Sequence, residues 1–258
     1  MNSFDWRAAS PADVEREYSP SQFARRPLEE YVADYARRSA GFDPEALERP
    51  GAPLLVYIHG GYWQQLSAAE SLFNAADAAR LGVSLHAVEY DLAPTATIEE
   101  ILDQCANDVA ETIERVRPSR TVLAGCSAGA HLAAMCAQVP ALADALDGIA
   151  LLSGIYDLRP IVVTPTNDAL GLDDDRATRL SPLMLAPPQV RAALCAVGRH
   201  ESGEFIRQNE EFARHLRSVV PSVVDVIVDG RDHFDLPYDL LTAGTTVGDW
   251  VLDILEVR

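Results

Sequence analysis

The sequence has little basic charge, few cysteines and no long apolar run. Lysine and arginine together number 21 against 39 acidic residues, which gives a formal net charge of −18 at pH 7. This charge argues against nucleic acid and anionic membranes as partners, because their phosphates would be repelled. No stretch approaches the ~18 consecutive apolar residues of a membrane span, and residues 1–18 lack the basic start and apolar core of a signal peptide. We therefore expect a cytoplasmic protein.

The few cysteines show no pairing pattern. The chain contains four, without a C-x-x-C motif: Cys105, Cys126, Cys136 and Cys195. All four lie in apolar contexts, which is typical of buried, reduced thiols in a cytosolic protein. We expect neither a disulfide nor a metal site.

The composition and length of the chain suit one globular α/β domain. Hydrophobic residues make up 48% of the chain and charged residues 23%, well inside the globular range. Residues 1–52 are polar and contain five prolines, and residues 27–40 predict one helix that begins at Pro27 and ends at Gly41. We interpret residues 1–52 as a helical and irregular segment that packs on a domain formed by residues 53–258.

From residue 53 onward, short apolar runs alternate with helical patterns. The runs predict strands at 53–60, 82–90, 120–126, 148–154, 193–198 and 222–230. The clearest helical patterns lie at 97–116, 128–139, 204–219 and in the tail from 236. Buried strands separated by helices are typical of a mainly parallel sheet with helices on both faces. The predicted fold class is therefore α/β.

The stretch GCSAG (125–129) fits the G-x-S-x-G pattern between a predicted strand and a predicted helix. In this setting a serine occupies a strained turn, and the flanking glycines give its neighbours room. Ser127 would project from the sheet edge as a nucleophile, while the amide of Ala128 faces an oxyanion at the helix amino terminus. Cys126 ends the strand, and we interpret it as a packing residue.

A nucleophilic serine needs a histidine base that is oriented by an acid, and the chain order in this fold is serine, acid, histidine. His233 follows the last predicted strand and is the candidate base. Glu201 follows the strand before it and is the candidate acid. Asp225 and Asp229 stay as alternatives for the acid.

The stretch HGGYW (59–63) follows the first predicted strand. His59 and Gly60 open this loop, and its glycines let the backbone approach a substrate without a Cβ clash. We expect the amides of Gly61 and Tyr62 to converge with the amide of Ala128 as an oxyanion hole.

Several motifs resemble the kynurenine formamidase (arylformamidase) branch of the α/β-hydrolases. They are HGGYW, GCSAGAHL (125–132), SGIYDLRP (153–160), VGRHESGEFIRQNEEF (197–212) and HFDL (233–236). The resemblance spans roughly residues 53–240. It implies an α/β-hydrolase catalytic domain at 53–258 that hydrolyses N-formylkynurenine to kynurenine and formate without a metal or cofactor. It also implies the roles of nucleophile for Ser127, acid for Glu201 and base for His233.

The chain departs from this family at two places. The acid is glutamate where the family has aspartate, and residues 41–53 show no strand pattern where relatives have a first β-hairpin. We therefore expect an α/β-hydrolase fold without that hairpin, which would change the sheet edge, the pocket or an oligomer interface. The expected partners are a small-molecule substrate and, as an open alternative to a monomer, a second copy in a homodimer.

The sequence is compatible with more than one class of substrate. An aromatic leaving group would suit Trp63 and Tyr156, which we take as candidate substrate contacts, and residues 155–190 with the amino-terminal helix are the expected pocket cover. The alternatives to a formamidase are a carboxylesterase, a carbamate or amide hydrolase, and a non-catalytic ligand-binding relative.

Overall fold

The structure, a computed structural model, describes residues 4–257. Its strands are β1 (Leu54–Ile58), β2 (Ser84–Val88), β3 (Thr121–Cys126), β4 (Gly148–Leu152), β5 (Ala192–His200) and β6 (Ser222–Asp232). Its α-helices are α1 (Pro11–Glu17), α2 (Leu28–Ser39), α3 (Pro44–Leu47), α4 (Ala75–Leu81), α5 (Ile98–Val116), α6 (Ala128–Cys136), α7 (Pro140–Ala145), α8 (Asn167–Leu170), α9 (Asp174–Arg179), α10 (Gly203–Leu216) and α11 (Thr246–Ile254). Short 3-10 helices span Pro20–Gln22, Ala68–Glu70, Arg159–Val163, Pro182–Met184 and Leu236–Leu241. None of the helices described is both long and apolar enough to cross a bilayer.

The six strands form one sheet in the order β2–β1–β3–β4–β5–β6, and every neighbouring pair is parallel. All six predicted strands are present, and the predicted parallel sheet is confirmed. Because the strands are parallel, their carboxyl ends lie along one edge of the sheet. The loops that follow β1, β3, β5 and β6 meet at that edge, where open α/β sheets bind their ligands.

The sheet begins without a hairpin. No strand precedes Leu54 within residues 4–53, as the sequence predicted, so β2 is an outer strand that pairs only with β1. The segment before β1 covers this edge instead. The ring of His86, on β2, lies 2.8 Å from Glu48 through Nδ1 and 2.8 Å from Asp108 through Nε2.

Both faces of the sheet are buried under helices. Strand β1 is buried along its whole length, because alternate side chains point to opposite faces of a sheet. Leu54, Val56 and Ile58 join the core that contains α5, α6 and α10. Leu55 and Tyr57 join the second core, which contains α4 and α11. This double burial explains why β1 is a continuous apolar run rather than an alternating one.

The amino-terminal segment packs on both cores. Val14 and Tyr18 belong to the first core, whereas Tyr35 and Leu47 belong to the second. The predicted helix occurs as α2, with Pro27 immediately before it. Helices α1 and α3 were not predicted, and neither were α4, α7, α8 and α9. Each of these has four to seven residues, which is too short to show two turns of apolar periodicity.

Candidate active site

The turn between β3 and α6 holds Ser127 in a backbone conformation with positive φ, which residues other than glycine rarely adopt. Its φ is 58° and its ψ is −122°. Both flanking glycines are sterically required. A Cβ on Gly125 would lie 2.2 Å from the carbonyl oxygen of Gly129, and a Cβ on Gly129 would lie 2.0 Å from the carbonyl oxygen of Ile58. The two glycines thus let α6 pack directly against the sheet, and the strained turn presents the serine at the sheet edge.

Glu201 and His233 form a buried pair at the same edge. The Nδ1 atom of His233 lies 2.7 Å from Oε2 of Glu201, and both side chains are at most 5% exposed. A carboxylate at Nδ1 fixes the N–H on that nitrogen, which leaves Nε2 with a lone pair that can accept a proton. Ser127 and His233 line one cavity, although no hydrogen bond joins the hydroxyl to the ring among the described residues.

The second oxygen of Glu201 accepts two further hydrogen bonds. The hydroxyl of Ser153 donates to Oε1 at 2.7 Å, and the backbone amide of Gly198 donates to it at 2.6 Å. Ser153 directly follows β4 and has a φ of 49°, which turns its hydroxyl towards the acid. These donors stabilise the negative charge of the carboxylate in a buried position. Sequence reasoning missed Ser153, and its place directly after β4 was the available signal.

The alternative acids are engaged elsewhere. Asp225 accepts a hydrogen bond from the side chain of Asn209 at 3.0 Å. Asp229 is 85% exposed and pairs with Arg199 at 2.9 Å. Of the three carboxylates considered from the sequence, Glu201 is the one in contact with His233.

Cys126 lies beside Ser127 as a buried thiol. Its Sγ donates to the carbonyl oxygen of His233 at 3.6 Å, and burial raises the pKa of the thiol well above its usual value. A neutral thiol is a weak nucleophile. The geometry therefore gives Cys126 a packing role at the histidine loop, although its side chain also borders the cavity.

The loop after β1 brings free backbone amides close to the serine. A Cβ on Gly60 would lie 2.8 Å from the carbonyl oxygen of Cys126 and 3.2 Å from Cβ of Ser127. Both Gly61 and Tyr62 have positive φ, at 93° and 53°. Their amides, like that of Ala128, have no hydrogen-bond partner within residues 4–257. Free amides beside a serine are the donors that an oxyanion hole requires.

The ring of His59 packs against the start of this loop. Its ring stacks on Tyr90 with 4.1 Å between centroids, and Nδ1 lies 3.0 Å from the carbonyl oxygen of Gly60. The hydroxyl of Tyr90 donates to the carbonyl oxygen of His59 at 2.9 Å. Burial lowers the pKa of His59 to about 4, so the ring is neutral at physiological pH. His59 therefore anchors the loop as a neutral, stacked ring.

Two aromatic residues that we took as substrate contacts lie elsewhere. Trp63 is fully buried and packs edge-on against His131, with 5.1 Å between centroids. Tyr156 is fully buried and stacks on Phe212 at 4.1 Å. Neither ring lines the cavity at Ser127. The predicted substrate contacts of Trp63 and Tyr156 are therefore wrong for the described cavity, because both side chains pack in the core.

The cavity at Ser127 has a volume of about 320 Å³. Its wall comes from the amino-terminal segment between Tyr18 and Tyr35, from the loop that follows β1, and from Ser127, His233 and Phe234. The predicted cover at 155–190 contributes Thr166 alone among the described lining residues, so most of that prediction is wrong. The amino-terminal part of the predicted cover does line the cavity.

Helix α2 is tied to the histidine loop. The hydroxyl of Tyr31 donates to Oδ2 of Asp232 at 2.5 Å, and the backbone amide of Arg25 donates to the same oxygen at 2.8 Å. The hydroxyl of Tyr35 donates to the carbonyl oxygen of Phe234 at 2.5 Å. Both Asp232 and Phe234 flank His233, so the cover and the candidate base are held together by hydrogen bonds.

Comparison with known proteins agrees with this architecture. The family described as the alpha/beta hydrolase fold matches residues 55–205. A kynurenine formamidase from Salmo salar is 32% identical over 90% of this chain and 92% of its own length, and the Danio rerio kynurenine formamidase matches equally well. The chain belongs to the kynurenine formamidase-like branch of the α/β-hydrolases. A kynurenine formamidase from Drosophila melanogaster is 30% identical over 72% of this chain and 67% of its own.

Solved structures share the fold at lower identity. A protein from Silicibacter sp. superposes with a TM-score of 0.81 at 22% identity, covering 93% of this chain and 98% of that protein. The thermostable carboxylesterase EstE1, from a metagenomic library, has a TM-score of 0.68 at 16% identity and covers 96% of both chains. Membership of this branch makes the chain a hydrolase.

Within residues 4–257, no group of three or more His, Cys, Asp or Glu side chains is arranged to hold a metal ion.

Proposed function

We propose that the chain hydrolyses a small aryl formamide of the N-formylkynurenine type to the aryl amine and formate. One observation carries the proposal: the serine on the strained turn, the histidine that contacts a carboxylate and the loop with free amides meet at one cavity. The three relatives that are named kynurenine formamidase support the choice of substrate. The cavity is also lined by aromatic side chains that suit an aryl leaving group, among them Tyr57, Phe73 and Phe234.

In the first half-reaction, Ser127 Oγ attacks the formyl carbon while Nε2 of His233 takes the hydroxyl proton. The tetrahedral oxyanion is stabilised by the amides of Gly61, Tyr62 and Ala128. Glu201 holds the imidazole in the required tautomer and stabilises the imidazolium that forms. The C–N bond then breaks, His233 returns the proton to the departing nitrogen, and the aryl amine leaves a formyl ester on Ser127.

In the second half-reaction, His233 removes a proton from a water molecule, and the hydroxide attacks the formyl ester. The second tetrahedral intermediate occupies the same oxyanion hole. Collapse of this intermediate returns the proton from His233 to Ser127 Oγ and releases formate. No cofactor enters either half-reaction in this proposal.

The HGGYW loop packs tightly on the turn that carries the nucleophile. A Cβ on Gly60 would lie 2.8 Å from the carbonyl oxygen of Cys126, so the loop amides are held beside Ser127. In this proposal the formyl carbonyl, which has no carbon substituent, is bound between those amides and Ser127. The larger aryl part then occupies the cavity below the amino-terminal cover.

The decisive experiment compares N-formylkynurenine with p-nitrophenyl acetate as substrates of the wild type and of Ser127→Ala. We expect a higher kcat/KM for the formamide, and a loss of kcat of at least about 10⁴-fold in the variant. A kcat/KM far higher for the ester would favour a carboxylesterase, which uses the same residues. Activity that survives in Ser127→Ala would contradict the mechanism. Failure of a fluorophosphonate probe to label Ser127 in the wild type would favour a non-catalytic relative.

A further inference from the structure

The cavity wall carries an acidic side chain, and its only basic side chains among the described residues are the imidazoles of His59 and His233. Glu70 lines the cavity, and no arginine does so within the described residues. Lysine is absent from the entire sequence. Most of the remaining wall consists of aromatic rings, aliphatic side chains, hydroxyls and amides. Away from the two histidines, a charged group of a bound substrate therefore meets one carboxylate and no arginine or lysine among the described lining residues.

The charge of Glu70 is not neutralised by a neighbour. One carboxylate oxygen accepts a hydrogen bond from the hydroxyl of Ser67 at 3.1 Å. Glu70 forms no ion pair with any residue between 4 and 257, and its side chain is partly exposed towards the cavity. A carboxylate with spare acceptor positions and no cation is a suitable partner for an ammonium group.

Glu70 stands close to the oxyanion loop as well as to the cavity. It ends the 3-10 helix Ala68–Glu70, which follows the HGGYW loop by a few residues. Its negative charge raises the pKa of His59 against the larger effect of burial, so the two groups are within electrostatic reach. His59 in turn contacts Gly60, which packs on Ser127. Because Glu70 and Ser127 line the same cavity, a substrate that reacts at Ser127 can contact Glu70.

On the basis of the proposed function, we propose that Glu70 binds a positively charged group on the leaving part of the substrate. The site then selects aryl formamides that carry an ammonium group and disfavours those whose only charge is a carboxylate. The formal net charge of −18 acts in the same direction, since it attracts cations and repels anions before binding. N-formylkynurenine carries both groups. Its ammonium meets Glu70, whereas its carboxylate meets no arginine or lysine among the described lining residues.

A matched substrate series tests the proposal without altering the protein. Four 2-formamidophenyl ketones share the ring and the formamide, and their side chains end in an ammonium, a carboxylate, both groups or a methyl group. We expect kcat/KM of the wild type to fall in the order ammonium, both, methyl, carboxylate. The ammonium compound should exceed the carboxylate compound by at least about tenfold, because a partly desolvated ion pair is replaced by repulsion.

Two variants assign this preference to one side chain. Glu70→Gln keeps the shape and removes the charge, and we expect the ratio of ammonium to carboxylate compounds to fall to within about threefold. Glu89→Gln is the matched control. Glu89 accepts a hydrogen bond from the amide of Ala68 at 2.9 Å, so it belongs to the same region but does not line the cavity. We expect Glu89→Gln to keep the wild-type ratio.

The outcomes separate this proposal from the proposed function. Hydrolysis of all four formamides at similar kcat/KM, or a ratio that survives in Glu70→Gln, would overturn the role of Glu70 and leave the formamidase proposal intact. If no formamide reacts, the formamidase proposal fails. The charge series is then repeated with 4-(aminomethyl)phenyl acetate, 4-methylphenyl acetate and 4-acetoxybenzoate. Loss of the ammonium preference in Glu70→Gln would support the role of Glu70 in binding the ammonium group, and an unchanged preference would overturn that role.

Discussion

The two halves of the candidate active site are built in different ways. The nucleophile half is local, because Ser127 and its glycines lie within 125–129 and are held by backbone packing against β1. The acid–base half is assembled from distant parts of the chain. Glu201 and His233 lie 32 residues apart in sequence, and Ser153 lies 48 residues before Glu201. The nucleophile half, which we call the local half, therefore depends on steric fit. The acid–base half, which we call the distant half, depends on individual hydrogen bonds.

Within the acid–base half, the largest effect on catalysis is expected from the acid. Glu201→Gln retains the size of the side chain but removes the charge that stabilises the imidazolium. We expect kcat to fall by about 10³–10⁴-fold, since replacement of the acid by its amide selects the wrong tautomer of the histidine. Single-turnover and steady-state rates with the best substrate of the panel measure this loss.

Glu201→Asp supplies the control for that experiment. It keeps the charge but shortens the side chain by one methylene, so we expect it to recover part of the activity that Glu201→Gln loses. If Glu201→Gln keeps kcat within tenfold of the wild type, another carboxylate serves His233 and the assignment is wrong.

A substitution in the local half should destabilise the folded protein through a steric clash rather than remove a reacting group. In Gly129→Ala the new Cβ would lie 2.0 Å from the carbonyl oxygen of Ile58 and 2.6 Å from that of His59, and both are backbone atoms that cannot rotate away. We expect a loss of at least about 3 kcal/mol in the free energy of unfolding, or failure to fold. Urea denaturation followed by circular dichroism gives the value.

Gly203→Ala is the matched control for this glycine. Gly203 is the first residue of α10, and the nearest atom to its new Cβ would be the Glu17 carboxylate at 3.6 Å. This variant should be as stable as the wild type or slightly more stable, because alanine has the higher helix propensity. Equal stability of Gly129→Ala and Gly203→Ala would show that α6 can move away from β1.

The contrast between local and distant contacts also explains which features of the fold and the site could be predicted from the sequence. The parallel sheet was predictable because each strand is a short, continuous apolar run. Ser127, Glu201 and His233 follow strands in a fixed order, and this order was visible along the chain. The loop residues Trp63 and Tyr156 were misassigned because an aromatic side chain after a strand can enter either the core or the cavity, and local sequence does not distinguish the two.

The contacts that hold the distant half were not predictable for a related reason. Ser153 opens the SGIYDLRP stretch, but nothing in that stretch indicates its partner, and Tyr31 lies in no motif. Each acts on a partner far along the chain. The short helices of the amino-terminal segment gave no periodic signal either. Glu70 lies in none of the motifs, and only the folded chain places it on the cavity wall.

Ser153 offers an intermediate test of the distant half as a positioning residue. Ser153→Ala removes one of the donors to Glu201 but leaves the amide of Gly198 in place. We expect kcat to fall by about tenfold with little change in KM, because the acid loses one donor and becomes less well oriented. Steady-state kinetics separate the two parameters, and thermal denaturation reports the folded state. A parallel rise in KM without a fall in kcat would indicate a role in the cavity wall instead.

The smallest expected effect lies where the amino-terminal cover meets the histidine loop. Burial raises the pKa of Asp232, but hydrogen bonds from Tyr31 and from the amides of Arg25, Phe234 and Asp235 outweigh it, so the net pKa is lowered. A lowered pKa in the folded state stabilises the protein above the unfolded value of 3.8, and this contribution is lost as the pH falls through the folded value.

Tyr31→Phe removes one of these donors. We expect a loss of about 1 kcal/mol in the free energy of unfolding at pH 7, and the difference from the wild type should shrink as the pH falls below about 4. Tyr35→Phe is the control, because the Tyr35 hydroxyl donates to the neutral carbonyl of Phe234 and its loss should not depend on acidic pH. Urea titrations of the three proteins at pH 7 and pH 3 compare them. If Tyr31→Phe and Tyr35→Phe lose the same free energy at both pH values, the charge of Asp232 does not hold the cover in place.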